Sequence, residues 1–162
     1  MSWRFCPRSA VAEVRLALSP FNPAAEIAAF NALHPCAGGI VTFLGQVRDG
    51  GGVEALELQH YAPMTLPGME ELARITQTRW PVDGLLILHR SGVMYPGDAI
   101  VLVCAAARHR RDAFAAADFA MDHLKSESWF WKREKTAQGW RWIEPRTEDR
   151  EDLSRWGNTN LQ

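Results

Sequence analysis

All the lysine in this chain lies in one stretch, HLKSESWFWKREK, which carries Lys125, Lys132 and Lys135; the other fifteen of its eighteen basic residues are arginine. An arginine stays protonated at any accessible pH. A lysine amine withdrawn from water can release its proton and act as a base or a nucleophile. Trp129, Phe130 and Trp131 separate the first two lysines, and aromatic neighbours desolvate an ammonium and lower its pKa. A solvated basic patch without chemistry would show the same lysine cluster. The aromatic company tilts the choice, and Lys125 and Lys132 are taken as active-site candidates.

A second group stands in ARHRRDAF, where Arg108, His109, Arg110 and Arg111 open a helix. Free backbone N–H groups, the helix dipole and these side chains together suit a phosphate. Cationic side chains at a helix start oppose the dipole, so a compensating negative charge is expected there. In TFLGQVRDGGG, Arg48 follows a strand, but neither a Walker A loop nor a dinucleotide fingerprint is present. Arg48 is either an exposed turn residue or an anion contact. His89, alone in HRSGVMYPGD, suits a strand residue with a satisfied hydrogen bond better than a catalyst. Trp129, Phe130, Trp131, Trp140 and Trp142 are either a stacking platform for a planar ring or, for most of them, the core of a hairpin. Cys6, Cys36 and Cys104 are odd in number and lack CxxC spacing, which suggests neither a disulfide framework nor a zinc site. No metal and no cofactor is expected. Two amines, an arginine–histidine anion site and aromatic rings fit a phosphorylated heterocycle undergoing acid–base or addition chemistry.

The elements that must position these residues follow from periodicity. Val11–Leu18 alternates as a strand. Asn22-Pro23 starts a helix that runs through AAEIAAFNAL and stops before Pro35. IVTFLGQV is a strand ending at Arg48, DGGG (49–52) a hairpin turn, and VEALELQHY (53–61) the returning strand. A helix follows from about Leu66 to Arg79, with Pro81 as its stop. LLILHRSGV is a strand, YPGD (95–98) a tight turn and AIVLVCAAA a buried strand. A long helix from about Arg111 to Glu127 carries Phe114, Ala117, Met121 and Leu124 as its core stripe, so that Lys125 emerges beside it. Trp129–Thr136 and Trp140–Glu144 form a hairpin about Gln138-Gly139, with Phe130, Lys132 and Glu134 on one face and Trp129, Trp131 and Arg133 on the other. Strands in hairpins with helices between them indicate an α+β fold with a largely antiparallel sheet and packed helices.

A length of 162 residues corresponds to one domain, here a core of about 11–147 and a charged tail, loose or used by a partner. The net charge of −1 argues against a general nucleic-acid binder, so an anion must be met by a local cluster. No apolar run is long enough to span a bilayer and no signal peptide is visible, so a cytoplasmic protein without membrane attachment is expected.

Several segments also occur together, in order and at matching spacing, in one known family. They are GGIVTFLGQVRD, HYAPM, RWP, LHRSGVMYPGD, the His-Arg of ARHRRDAF, FAMDHLK and FWKRE. Over roughly residues 11–147 the chain resembles the catalytic (large) subunit of molybdopterin synthase. The resemblance implies an α/β-hammerhead fold and a homodimer of large subunits within a heterotetramer, each binding one small ubiquitin-like sulfur-carrier subunit. It implies a sulfurtransferase that moves two sulfurs from the carrier's C-terminal thiocarboxylate to cyclic pyranopterin monophosphate, forming the molybdopterin dithiolene. The catalytic lysines of the family fall on Lys125 and Lys132. Its substrate-binding positions fall on Gln46, Val47 and Arg48, on His109 and Arg110, and on Lys132, Arg133 and Glu134, with Met121 lining the site. Trp129 departs from the proline common in relatives. A carrier-docking module without catalysis, a Schiff-base or pyridoxal-phosphate enzyme using Lys125, and an RNA-binding hairpin are the competing functions.

Overall fold

A computed structural model describes residues 11–126, 129–144 and 147–157. Among them lie two four-stranded sheets. In the first, β1 (Val11–Ala17), β4 (Val82–Arg90), β6 (Ala99–Ala107) and β2 (Gly39–Gln46) lie in that order. Only the β1–β4 pairing is parallel. Residues alternate across a strand, and β4 and β6 bury both sets. Leu86, Leu88, Leu102, Cys104 and Ala106 face α1 (Pro23–Leu33) through Phe30. Leu85, Ile87, Val101, Val103 and Ala105 face α2 (Ala62–Arg79) and α3 (Arg110–Ser126). A continuous apolar strand is what such two-sided burial requires. α1 starts as its sequence indicates, with the Asn22 side chain accepting from Ala25 N at 3.2 Å and Pro23 in the first turn.

The second sheet runs β5 (Gly92–Met94), β3 (Ala55–His60), β7 (Phe130–Thr136) and β8 (Gly139–Ile143). Leu56, Leu58 and Met94 form its buried face with Val47, and Ile100 and Phe130 join that cluster to the main core. The fold is α+β, as the order of elements indicates.

The DGGG segment does not close a hairpin. β2 pairs with β6, while β3 pairs with β5 and β7, so residues 47–54 cross from one sheet to the other. Buried β6 takes a partner on each edge, β4 and β2, and β3 is left to the second sheet. Gly50, Gly51 and Gly52 all have positive φ and meet nothing where a Cβ would stand, so they permit this change of direction. LLILHRSGV is likewise two strands, broken at Ser91, where Gly92 turns at φ +102°.

Three helical expectations also change. α2 begins at Ala62, earlier than Leu66, because Pro63 occupies the first turn, where an N–H has no intrahelical acceptor. Phe114 is 61% exposed, and the core face of α3 is Ala113, Ala116, Ala117, Phe119, Ala120, Met121 and Leu124, whose alanines let the helix approach the sheet. The tail is not loose over 147–157: α4 (Thr147–Ser154) packs on α3, with Ser126 Oγ donating to Asp149 O at 2.6 Å. Trp156 lies edge-on to Trp80 and Phe119, and its Nε1 donates to Asp122 Oδ2 at 2.6 Å. Cys36 is disulfide-bonded, although the cysteine count and spacing suggested no disulfide framework, and Cys104 is a buried free thiol. Cys6 lies outside the described residues.

Candidate functional site

α3 places the first lysine. Arg110, Phe114, Ala117, Met121 and Lys125 recur at helical spacing along one side of it and line a cleft of about 1080 Å³. Val41–Phe43 of β2, Trp80 and the C-terminal Asp149, Asp152 and Trp156 form the other walls. Lys125 is exposed at the last turn, and Met121 is 8% exposed. The acidic groups Asp118 and Asp122 in the same cleft are held by Arg155, at 2.8 and 2.6 Å.

The opposite end of α3 carries the residues expected to meet an anion. The carbonyl of His109 accepts Asp112 N at 3.1 Å and so caps the helix, while Arg108, His109, Arg110 and Arg111 are all exposed. Asp112 in the first turn supplies negative charge for the dipole.

β7 carries Lys132, directly opposite Leu58 of β3 and Ile143 of β8. It shares a face with Phe130 and Glu134, as alternation indicates. Glu134 accepts Arg141 Nη2 at 3.1 Å. Arg133 points to the other face, where it pairs with Glu57 and lies over the rings of Trp140 and Trp142 at 4.7 and 5.5 Å. Three residues adjacent in sequence therefore serve two faces of the sheet.

The aromatic residues do not enclose the lysines. Trp129 is buried against α2: its carbonyl accepts Thr65 Oγ1 at 2.7 Å, and its ring lies where a side chain on Gly68 would stand. Phe130 stacks on His89 at 4.2 Å. Trp131, Trp140 and Trp142 are 56%, 40% and 61% exposed. Lys125 and Lys132 are themselves exposed, so the desolvation expected from WFW is not supplied within one chain. Glu127 and Ser128, between the lysines, lie outside the described residues.

Gln46, Val47 and Arg48 form a third group at the end of β2. Val47 is buried while Gln46 and Arg48 are exposed, and Gln46 Nε2 donates to Gly97 O at 3.2 Å. Behind them lies a buried polar corner, His89–Arg90–Ser91, of which the sequence analysis weighed only His89 as an individual residue. His89 Nδ1–H donates to Arg90 O at 3.0 Å, and burial pushes its pKa down to about 4, so it is neutral. Ser91 Oγ donates to Leu58 O at 2.9 Å and is 2.7 Å from His60 Nδ1. With the hydroxyl proton committed, His60 must donate from Nδ1, which excludes a serine nucleophile activated by this histidine. The signal for the corner was an arginine between an apolar strand and a PGD turn.

This geometry coincides with a family. The family model described as MoaE protein matches residues 16–127, which include β2, α2, β4, β6 and α3 with Lys125. The chain belongs to the MoaE family. It is 45% identical over 147 residues to a molybdopterin synthase catalytic subunit of Ralstonia nicotianae, covering 89% of this chain and 84% of that one. A solved MoaE protein of Burkholderia ambifaria superposes with TM-score 0.78 at 43% identity, over 92% of this chain and all of that one. A molybdopterin synthase of Staphylococcus aureus gives TM-score 0.69 at 26% identity, over 80% and 95%. The MoaE match ends before β7, the strand that carries Lys132.

Proposed function

We propose that this MoaE-family chain is the catalytic, large subunit of a molybdopterin synthase. As a sulfurtransferase it takes sulfur from the thiocarboxylated C-terminus of a small ubiquitin-like carrier subunit. It passes two sulfurs in turn to cyclic pyranopterin monophosphate and so builds the molybdopterin dithiolene. The observation that carries this function is the cleft along α3, which has an amine at one end, an arginine at the other and no thiol among its lining residues. Such a site has no sulfur of its own to give, so sulfur must arrive on a partner.

Once the carrier's sulfur has bonded to a substrate carbon, the carrier's acyl carbon is held as a thioester. Attack on that carbon, by water that has given a proton to Lys125 or by the amine itself, breaks the acyl–sulfur bond and leaves sulfur on the pterin side chain. Lys132 holds the anion and can supply the proton needed when the cyclic phosphate opens. Because Lys125 and Lys132 are exposed in the single chain, the docked carrier tail provides the desolvation that makes an amine reactive.

The anion site belongs to a neighbouring copy. Arg110 and Lys125 lie fifteen residues apart on one helix, roughly 22 Å at the rise of an α-helix. One pterin phosphate cannot touch both. A homodimer in which His109 and Arg110 of one copy face Lys125 and Lys132 of the other completes the site, with Arg48 and Glu134 bordering it and Arg133 left on the opposite face of β7. The exposed Trp131, Trp140, Trp142 and Phe114 leave ample apolar surface for two protein partners. The test is to mix the protein with thiocarboxylated carrier and the pterin precursor and detect the product by mass spectrometry. Dithiolene product is expected. Its absence with folded, carrier-bound protein would refute the function.

A further inference from the structure

β2 shifts its register with β6 between Gly45 and Gln46, and beyond Gln46, which still pairs with Ala99, the sheet no longer holds the chain. A turn replaces it. Val47 N–H donates to Asp98 O at 2.9 Å, and Gly97 N–H donates to Val47 O at 2.9 Å. Gln46 Nε2 adds its bond to Gly97 O, and Gly97 itself needs φ +91°. The backbone that delivers Arg48 is therefore fixed by residues 95–98, not by a strand neighbour.

The turn in turn depends on one carboxylate oxygen. Asp98 Oδ2 accepts Tyr95 N–H at 3.0 Å and Arg90 Nη1 at 3.2 Å, while Arg90 Nη2 donates to Val93 O at 3.2 Å. Arg90 is only 7% exposed, and its Nε is buried without a hydrogen-bond partner among the described residues. A charged group so enclosed carries a desolvation cost that an ion pair only partly offsets, and an apolar residue would pack there more cheaply. Stability alone does not account for it. A guanidinium that grips both the carboxylate and the backbone of the turn does specify a conformation.

We propose that the pair formed by buried Arg90 and half-exposed Asp98 is a positioning device for substrate binding: it fixes the 95–98 turn, which holds Gln46–Val47 and thereby aims Arg48 at the substrate's anionic group. The proposal rests on the assignment of Arg48 as a substrate contact. It assigns a function to the arginine of HRSG and the aspartate of YPGD without either touching substrate.

A double-mutant cycle tests it in the assembled complex with carrier, using Asp98→Asn, Arg48→Ala and the double variant. Asp98→Asn should raise KM for the pterin precursor about tenfold or more, with kcat changed less than about twofold, as for loss of substrate placement. In the Arg48→Ala background the same change should raise KM no further, because its only route to substrate is gone. Additive effects on KM, or an unchanged KM in folded Asp98→Asn, would overturn the proposal. If Asp98→Asn does not melt cooperatively, Arg90→Lys, which keeps the charge and loses the fork, carries the same cycle. Failure of the wild-type complex to make dithiolene would instead defeat the proposed function, so the two failures are distinct.

Discussion

Lys125 and Lys132 are close in sequence but stand on unlike supports. Lys125 ends a helix whose stripe of alanines is pressed against the apolar face of the first sheet, and which also lines a cleft walled by α4 and Trp156. Lys132 lies on a β-ribbon between Leu58 and Ile143, in a sheet whose opposite face exposes Trp131, Trp140 and Trp142. The helix site is therefore made rigid by the chain's own core, while the hairpin site borders surface that is still uncovered. Under the proposed function, this contrast assigns the chemistry that needs a firmly held amine to Lys125 and the binding completed by a partner to Lys132.

The largest effect should follow removal of the amine at the rigid support. Lys125→Ala should lower product formation on the order of a hundredfold to ten-thousandfold, the range for loss of an acid–base group, with the melting temperature nearly unchanged because the side chain is exposed. Single-turnover assays with saturating carrier provide the check. A loss confined to KM would place Lys125 with Lys132 as a binding residue.

A second expectation concerns the floor beneath the hairpin. His89, stacked on Phe130, is held near a pKa of about 4 in the folded chain by burial, against a hydrogen bond to Arg90 O that raises it. The unfolded value is about 6.5. Below that pH the unfolded chain takes up a proton that the folded chain refuses, so stability is complete above about pH 6.5 and declines down to about pH 4. The decline should approach 3 kcal/mol at most, roughly 1.4 kcal/mol for each pH unit. Burial lowers the pKa of His123 too, which adds loss in the same direction. Denaturant melts of wild type and His89→Leu between pH 7 and 4 should converge as the pH falls; parallel curves would contradict the assignment.

Arg110→Ala should weaken precursor binding by about 1.5–3 kcal/mol, the range for a lost charged hydrogen bond, as measured by calorimetry on the complex. Mixing Lys125→Ala and Arg110→Ala protomers should restore activity if the two groups meet across a dimer, and a mixture no better than either variant would place them in separate sites. Smaller still, Lys132→Arg should cost about tenfold, since charge is kept and shape is not. Lys135→Ala should cost less than about twofold, because this side chain is on the opposite face and its exposed pair with Glu54 at 3.6 Å is weak. Steady-state rates rank the two, and equal losses would remove the distinction between the faces of β7.

Much of this layout was legible in the sequence, and for identifiable reasons. Asn22-Pro23, the apolar run 99–107 and the alternation of 130–134 each act through local rules of capping, burial and pleat, and each appears where it was expected. Which strands pair was not local. Residues 49–52 read as a hairpin turn because glycines permit one, but pairing was decided by the need of β6 for two neighbours. The stripe on α3 was misplaced at Phe114 because a large apolar residue outweighs alanine in a sequence pattern, while close helix–sheet packing favours alanine. The aromatic cluster was read as a desolvating shell, yet Trp129 turns into the core against Gly68 and Trp131 turns to the outer face. The Arg90–Asp98 pair was inside a recognised motif, but a sequence does not show which arginine is buried.

The most direct test of the amine mechanism is product formation by Lys125→Arg in the assembled complex. Arginine keeps the positive charge and cannot give up a proton at accessible pH. With folding and carrier binding intact, activity should fall almost as far as in Lys125→Ala. Near-normal dithiolene formation by Lys125→Arg would contradict the mechanism and reduce this lysine to an electrostatic contact.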